Sequence, residues 1–345
     1  LFAAIAADPV LRELKLIAEP WDISRYSLGE FQYPWREWND YYRDAVRQFW
    51  LGDIARGYGE GVSALASSIA GSSNIFYFRG PTSSINFITA HDGFTLNDLV
   101  SYHDKRNEAN GEENRDGANT NRSWNVGIEG PTDDPKILKI RQSLQKSLMA
   151  TLLLSSGVPM VTMGDEVGRT QYGSNNAFTL PIDLNRQNWN LKDSWNGGWA
   201  LDWTPANEKL DLQNAFIELI RIRQTYLSDI TSDFFTGRID FGTDRKDIAW
   251  FSLSGNEMTD VHWSDGDKRS LTVFLEAGPK NGLVLLMNSF AEETTFTLPS
   301  SSWGENFRCI FNSFEVTATY NPLLSSPGEK VQVSPHSLQV WLVNR

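Results

Sequence analysis

Short apolar segments followed by acidic residues alternate with helical patterns over the first two thirds of the 345-residue chain. Leu14–Ala18 precedes Glu19, Ile85–Ala90 precedes Asp92, and Pro159–Met163 is a third candidate strand that leads to acidic residues. Parallel strands joined by helices bring their carboxyl ends to one face of a barrel, where the active-site residues of such folds lie. The pattern therefore predicts a β/α barrel portion whose acidic side chains converge at one face.

Two helices are predicted between these strands. Asn39 is a candidate N-cap for a helix over 39–50, because apolar residues recur there at helical spacing. Asp134 and Pro135 suit the N-cap and the first position of a second helix, which is expected from about 136 to 156.

The helical period disappears after about residue 230. Short apolar runs separated by Gly, Pro, Asn or Ser follow, at 248–253, 271–275, 283–287, 294–298, 307–311, 314–320 and 337–343. This pattern is typical of an antiparallel β-sandwich. We therefore expect an α/β part at 1–240 and an all-β domain at 241–345.

The balance of charges limits the partners that the chain can have. It carries 31 Lys and Arg against 43 Asp and Glu, a net charge of −12, so neither nucleic acid nor an anionic membrane is expected to bind. No apolar run approaches the roughly 20 residues that span a bilayer, and no signal peptide is recognised, so a cytoplasmic location is expected. One cysteine, Cys309, and four scattered His predict no disulfide, no metal site and no cofactor.

Several segments resemble the glycogen debranching enzymes of the isoamylase type, in the α-amylase superfamily (glycoside hydrolase family 13). They are LIAEPWD at 16–22, NFITAHDG at 86–93, the long loop at 103–135, GVPMVTMGDEVGRTQYGSNNA at 157–177, and DIAWFSLSGNEMTD at 247–260. The resemblance implies the C-terminal half of a (β/α)8 TIM barrel, strands five to eight, followed by an antiparallel β-sandwich domain. It also implies an α-glucan polysaccharide, glycogen or limit dextrin, as the substrate.

The resemblance assigns roles to individual residues. Glu19 matches the general acid/base, and Asp92 matches the carboxylate that stabilises the transition state. Because Glu19 stands beside Pro20 and Trp21, we expect desolvation to raise its pKa, as a proton donor requires. The residues that would bind substrate are His91 and Trp21, with Asn107, Glu108, Asn175 and Asn176 at the rim of the cleft. Asp165 and Glu166 are expected to cap or brace the barrel mouth rather than to catalyse.

The resemblance also requires a nucleophilic aspartate, two residues after an arginine at the end of the fourth strand. No such segment precedes Glu19, so the chain is expected to be part of a longer enzyme and inactive without the amino-terminal half. Residues 178–203 are longer and richer in Trp and Asn than the corresponding turn in related enzymes, which leaves the branch-length preference open.

Retaining hydrolysis of α-1,6 branch linkages is the expected activity. Two alternatives remain: an α-1,4-glucan hydrolase or glucanotransferase on the same barrel, and a non-catalytic glucan-binding module. The residues alone do not separate α-1,6 from α-1,4 cleavage.

Overall fold

The computed structural model of the chain describes residues 2–177, 210–228, 233–240, 242 and 244–344. Its α-helices are α1 Phe2–Ala7, α2 Asp40–Arg47, α3 Asp53–Arg56, α4 Ser63–Ile69, α5 Ser73–Phe76, α6 Leu96–Leu99, α7 Pro135–Leu154, α8 Leu210–Tyr226 and α9 Asp260–Trp263. Its strands are β1 Ile17–Ala18, β2 Arg36–Asn39, β3 Ser84–Phe87, β4 Val158–Met160, β5 Ile239–Asp240, β6 Arg245–Lys246, β7 Ile248–Phe251, β8 Ser270–Glu276, β9 Asn281–Asn288, β10 Thr294–Thr297, β11 Asn306–Asn312, β12 Leu323–Ser325, β13 Lys330–Val333 and β14 Ser337–Asn344.

The first four strands form a parallel sheet in the order β1-β2-β3-β4. Strands β1, β3 and β4 lie within or overlap the segments where the sequence predicts strands. Strand β1 ends where its predicted segment ends, and β3 and β4 each end three residues earlier. Strand β2 was not predicted, because its sequence, REWN, has no β-branched residue and does not alternate in the usual way.

The helix α2 begins where its cap predicts. Asn39 Oδ1 accepts a hydrogen bond from Tyr42 N at 3.0 Å, and the buried Tyr42 and Val46 face the core. The helix continues through a π-helical turn, Gln48–Gly52, into α3. All five residues of this turn are buried, so the spacing of apolar residues does not mark where the helix changes its hydrogen-bond pattern.

The helix α7 confirms the second predicted cap. Asp134 Oδ1 accepts from Lys136 N at 2.8 Å, and Pro135 occupies the first turn, where its missing N–H costs nothing. At the other end, the guanidinium of Arg223 from α8 donates to the carbonyl oxygens of Leu153 and Ser155 at 2.7 and 2.8 Å. A cation at the carboxyl end of a helix satisfies its free carbonyls and its dipole.

The C-terminal part is antiparallel. Six strands pair in the order β12-β11-β14-β9-β8-β7, and β10 pairs with β13 to form a second sheet. Phe296 of β10 and Val333 of β13 share one apolar cluster with Phe274 and Trp341 of the six-stranded sheet. The strand predicted at 314–320 was wrong: the chain turns there into a 3-10 helix, Thr317–Thr319.

The two parts of the chain share a continuous core. Leu148 of α7 belongs to the same buried cluster as Leu285 and Leu338 of the antiparallel sheet. Ser289 Oγ also donates to the carbonyl oxygen of Phe49 at 2.7 Å, across the seam between the parts. The predicted boundary at residue 240 stays a prediction. Within the described ranges, no helix combines the length and the apolar composition that crossing a membrane requires.

Candidate active site

The two acidic residues proposed from the sequence follow strands of the parallel sheet. Glu19 comes directly after β1, and Asp92 comes five residues after the end of β3. Since the strands are parallel, both residues lie at the carboxyl end of the sheet. Strand β2 separates β1 from β3, so their axes are about 10 Å apart. Both side chains are exposed.

His91 contacts both Asp92 and an aromatic side chain of the sheet. His91 Nε2 lies 3.4 Å from Asp92 Oδ2, and the two side chains are 59% and 68% exposed. The ring of Trp38, on β2, lies 5.6 Å from the ring of His91 and 5.6 Å from the ring of Phe87. Trp38 was not predicted to be a site residue, because its strand, β2, was not recognised in the sequence.

A short turn follows Glu19. Trp21 is half-buried and forms an isolated antiparallel bridge with Tyr26, and Ser27 N donates to the carbonyl oxygen of Pro20 at 2.7 Å. Pro20 is buried, but the Glu19 side chain faces solvent. The described residues therefore do not provide the apolar surroundings that were expected around Glu19.

The rest of the loop after β1 is held by a buried carboxylate. Glu37, on β2, is fully buried and accepts from Gly29 N at 2.6 Å and from Phe31 N at 3.3 Å. It also pairs with the guanidinium of Arg79. A buried carboxylate with three donors is well satisfied, so this loop has a defined path.

Two of the predicted rim residues lie beneath the surface. Asn107 and Asn175 are buried, and Asn107 Nδ2 donates to Asn175 Oδ1 at 2.8 Å. Asn107 Oδ1 accepts from Asn175 N at 3.0 Å and from Ser174 Oγ at 3.2 Å. Asn107 Nδ2 donates to the carbonyl oxygen of Asp116 as well. These amides are fully used inside the protein, so they join the 103–121 loop to the 170–176 loop instead of facing a ligand.

The other two rim residues differ from each other. Glu108 is exposed and opens a 3-10 turn, Glu108–Asn110. Asn176 is half-buried, and its Nδ2 donates to Asp116 Oδ2 at 2.8 Å. Of the four predicted rim residues, Glu108 is the one whose side chain is exposed to solvent.

Two further buried carboxylates brace the loops after β3 and β4. Asp165 accepts from Leu96 N at 3.2 Å and lies 3.6 Å from the guanidinium of Arg169, as a bracing role requires. Asp98 accepts from Gln171 N at 2.7 Å, and burial raises its pKa to about 6. Burial likewise raises the pKa of Asp165. These contacts fix the position of the loop that carries Asp92.

The described residues offer no cluster of three or more His, Cys, Asp or Glu side chains that could hold a metal ion. The segment at 178–203 lies outside the described residues. The carboxyl end of the described sheet carries two carboxylates on the loops after β1 and β3, a histidine and an aromatic face. Glycoside hydrolysis uses one carboxyl group as a proton donor and needs negative charge near an oxocarbenium-like transition state.

Comparison with known proteins finds relatives of both parts of the chain. The family model described as "Isoamylase, C-terminal" matches residues 247–343. The glycogen operon protein GlgX homolog of Mycobacterium tuberculosis is 41% identical over 323 residues, which cover 89% of this chain and 42% of that protein. The glycogen debranching enzyme of Yersinia pestis is 41% identical over 308 residues, which cover 88% of this chain and 42% of that enzyme. The chain thus spans less than half the length of these relatives.

Solved structures support the same fold. PulA of Klebsiella pneumoniae matches with a TM-score of 0.62 at 15% identity, over 100% of this chain and 36% of PulA. Pullulanase type I of Bacillus subtilis, solved with maltose, matches with a TM-score of 0.59 at 18% identity, over 100% of this chain and 41% of the pullulanase. At such identities the likeness concerns the fold alone. In sequence, the chain is similar to part of proteins named glycogen operon protein GlgX homolog and glycogen debranching enzyme, and it is a homologue of that part.

Proposed function

We propose that the chain forms strands five to eight of a (β/α)8 barrel in an enzyme that hydrolyses α-1,6 branch linkages of glycogen or limit dextrin. The observation that carries the proposal is the position of Glu19 and Asp92 at one end of a parallel sheet, on either side of β2. In this proposal β1 and β4 are the edges at which the other half of the barrel pairs. Retention of configuration is part of the proposal.

Glu19 is the proposed proton donor to the leaving oxygen. Asp92 is proposed to supply negative charge to the transition state, while His91, held against Trp38, hydrogen-bonds the sugar. Trp21 and Glu108 are proposed to line the cleft, and Asn107, Asn175 and Asn176 are proposed to shape it by holding its loops. The nucleophilic aspartate would come from the complementary half, about 5–5.5 Å from Glu19.

The exposure of Glu19 supports the proposal that the chain is inactive by itself. A proton donor at neutral pH needs a desolvated site, whereas the described residues leave the Glu19 side chain exposed. The complementary half would supply that cover together with the nucleophile. Activity therefore requires both halves.

The test is complementation with the amino-terminal half of a relative, such as the Yersinia pestis enzyme. We expect the chain alone to release no reducing ends from branched limit dextrin, and the co-expressed halves to do so. Glu19→Gln and Asp92→Asn should each abolish that activity, while the exposed Glu13→Gln and Asp133→Asn should not change it. Any residual rate of Glu19→Gln should lack the basic limb that we expect in the pH–rate profile of the combined wild-type halves.

Three outcomes would overturn the proposal. Cleavage by the unaccompanied chain would show that no complementary nucleophile is needed. Release of linear products from unbranched maltodextrin, with iodine staining that does not deepen on branched glycogen, would favour an α-1,4 hydrolase or a glucanotransferase. Tight glucan binding without turnover by the combined halves would favour a binding module.

A further inference from the structure

A groove separates α8 from the antiparallel domain. It has a volume of about 370 Å³ and is lined by α8, by the end of β11 and by the 3-10 helix Thr317–Thr319 with the residues after it. None of its lining residues belongs to the candidate active site. Small-molecule sites commonly have about this volume.

The floor of the groove is made by an irregularity in β11. Cys309 pairs with Trp341 and Phe311 pairs with Val340, so Ile310 is an extra residue in the strand. Such a β-bulge turns a side chain away from its regular direction, and bulges are common beside functional sites. Ile310 lines the groove as its apolar floor.

The two walls of the groove are fixed to each other. Asp211, at the start of α8, accepts from Thr317 N at 2.7 Å and pairs with the buried Lys146. Lys146 Nζ donates in turn to the carbonyl oxygen of Glu315 at 2.9 Å. The groove is therefore formed before any ligand arrives, which lowers the entropic cost of binding.

One amide in the groove lining has a donor without a protein partner. Asn312 is 7% exposed and accepts from Phe314 N at 3.1 Å, but its side-chain NH2 donates to no acceptor in the described part of the chain. This donor can hydrogen-bond a molecule that enters the groove.

The lining indicates the chemistry of that ligand. Asn214 and Asn312 offer neutral donors and acceptors, and the ring of Tyr320 adds an aromatic face. Glu218, which is paired with Arg221, and the net charge of −12 disfavour an anion. A hydroxyl-rich, uncharged molecule with apolar C–H faces fits these groups best.

We propose that this groove is a second glucan-binding site, which holds a maltooligosaccharide segment away from the candidate active site. The choice of glucan rests on the proposed function. Such a site raises the local concentration of branches at the active site when both are engaged by one polysaccharide.

The experiment measures the dissociation constant of maltohexaose for the full 345-residue chain by isothermal titration calorimetry. Ala318→Leu fills the groove from an exposed position, and Asn214→Leu removes an amide from its wall. Each is expected to weaken binding at least about fivefold, a loss of ~1 kcal/mol. Thr319→Leu, on the same 3-10 helix but outside the lining, should bind as the wild type does. Asp92→Asn should also leave this binding unchanged.

The outcomes separate the two proposals. Wild-type affinity in both groove variants, or no binding at millimolar maltohexaose, overturns the second site and leaves the proposed function standing. Binding lost in Asp92→Asn but not in the groove variants places the sugar at the active site and also overturns it. Binding that depends on Ala318 and Asn214, with combined halves that never cleave a branched glucan, supports the groove and rejects the proposed function.

Discussion

The ring of His91 lies 5.6 Å from the ring of Trp38. Trp38 lies on β2, and His91 lies in the loop after β3. Trp38 also contacts Phe87 of β3, so it links the buried sheet to the exposed histidine. The orientation of His91, and through it of Asp92, depends on this one indole.

Replacing Trp38 should therefore weaken the active site without touching its carboxylates. We expect Trp38→Ala to lower kcat/KM of the combined halves on branched limit dextrin about tenfold, equivalent to ~1.4 kcal/mol. Trp38→Phe keeps an aromatic face and should recover most of that loss. Equal rates for Trp38→Ala and the wild type would show that the indole does not position His91.

Replacing the side-chain nitrogen of Asn107 with oxygen should destabilise the folded protein. In Asn107→Asp, a carboxylate oxygen replaces the amide nitrogen that donates to Asn175 Oδ1 and to the carbonyl oxygen of Asp116. Acceptors would then face each other in a buried site, so we expect the free energy of unfolding at neutral pH to fall by about 3 kcal/mol. Urea unfolding followed by tryptophan fluorescence measures it. Asn119→Asp, exposed in the same loop, should change it little, and equal losses in both variants would contradict the prediction.

Asp98 should make stability depend on pH in mildly acidic solution. Burial raises its folded-state pKa to about 6 from the ordinary 3.8, so the folded chain binds more protons than the unfolded chain between these values. The free energy of unfolding should therefore fall as pH rises through this window, by at most about 3 kcal/mol from this group.

Asp98→Asn removes that contribution. The quantity to compare is the slope of the free energy of unfolding against pH, not its absolute value. Urea unfolding of the two proteins between about pH 4 and pH 7 should show a smaller decline in the variant. The exposed Asp133→Asn is the control and should keep the wild-type slope. Parallel curves for Asp98→Asn and the wild type would mean that the carboxyl is not desolvated.

The Lys146–Asp211 pair should be important for stability, since the Lys146 side chain is 1% exposed and that of Asp211 is 13% exposed. Asp211→Asn keeps an acceptor for Thr317 N but leaves the ammonium group without its counter-charge. We expect a loss of about 3 kcal/mol, and the double variant Lys146→Met/Asp211→Asn should recover part of it.

The exposed Arg12–Glu13 pair provides the comparison. Glu13→Gln should cost no more than about 0.5 kcal/mol, because water and salt screen a surface pair. If Asp211→Asn costs as little as Glu13→Gln, then Lys146 does not need its partner. Urea unfolding at constant ionic strength distinguishes these results.

The local features of the fold could be predicted from the sequence. The caps at Asn39 and Asp134 depend on residues two or three positions away, so chain order alone identifies them. Short apolar runs between turn residues indicate most of the antiparallel strands of the C-terminal part. The strand predicted at 314–320 was wrong. There the chain turns after Asn312, whose side-chain oxygen accepts a hydrogen bond from Phe314 N.

The role of a polar residue was less predictable. Asn107 and Asn175 have the composition of rim residues, yet they lie buried against each other, 68 positions apart in the chain. The residues around Trp38 do not alternate between apolar and polar, so the sequence does not mark it as part of a strand. Its position in the site is set by the pairing of β2 with β3 and by its contact with Phe87.

By itself, the sequence determined the α/β character of the first part, the antiparallel character of the second, the caps of α2 and α7, and the residues that can donate or accept a proton. Those properties depend on side chains and on neighbours a few positions away. Only the tertiary structure decided which polar groups are consumed by partners, that Glu19 is open to water, and that a groove forms between α8 and β11. Burial and pairing are properties of residues far apart in the chain, and no local pattern encodes them.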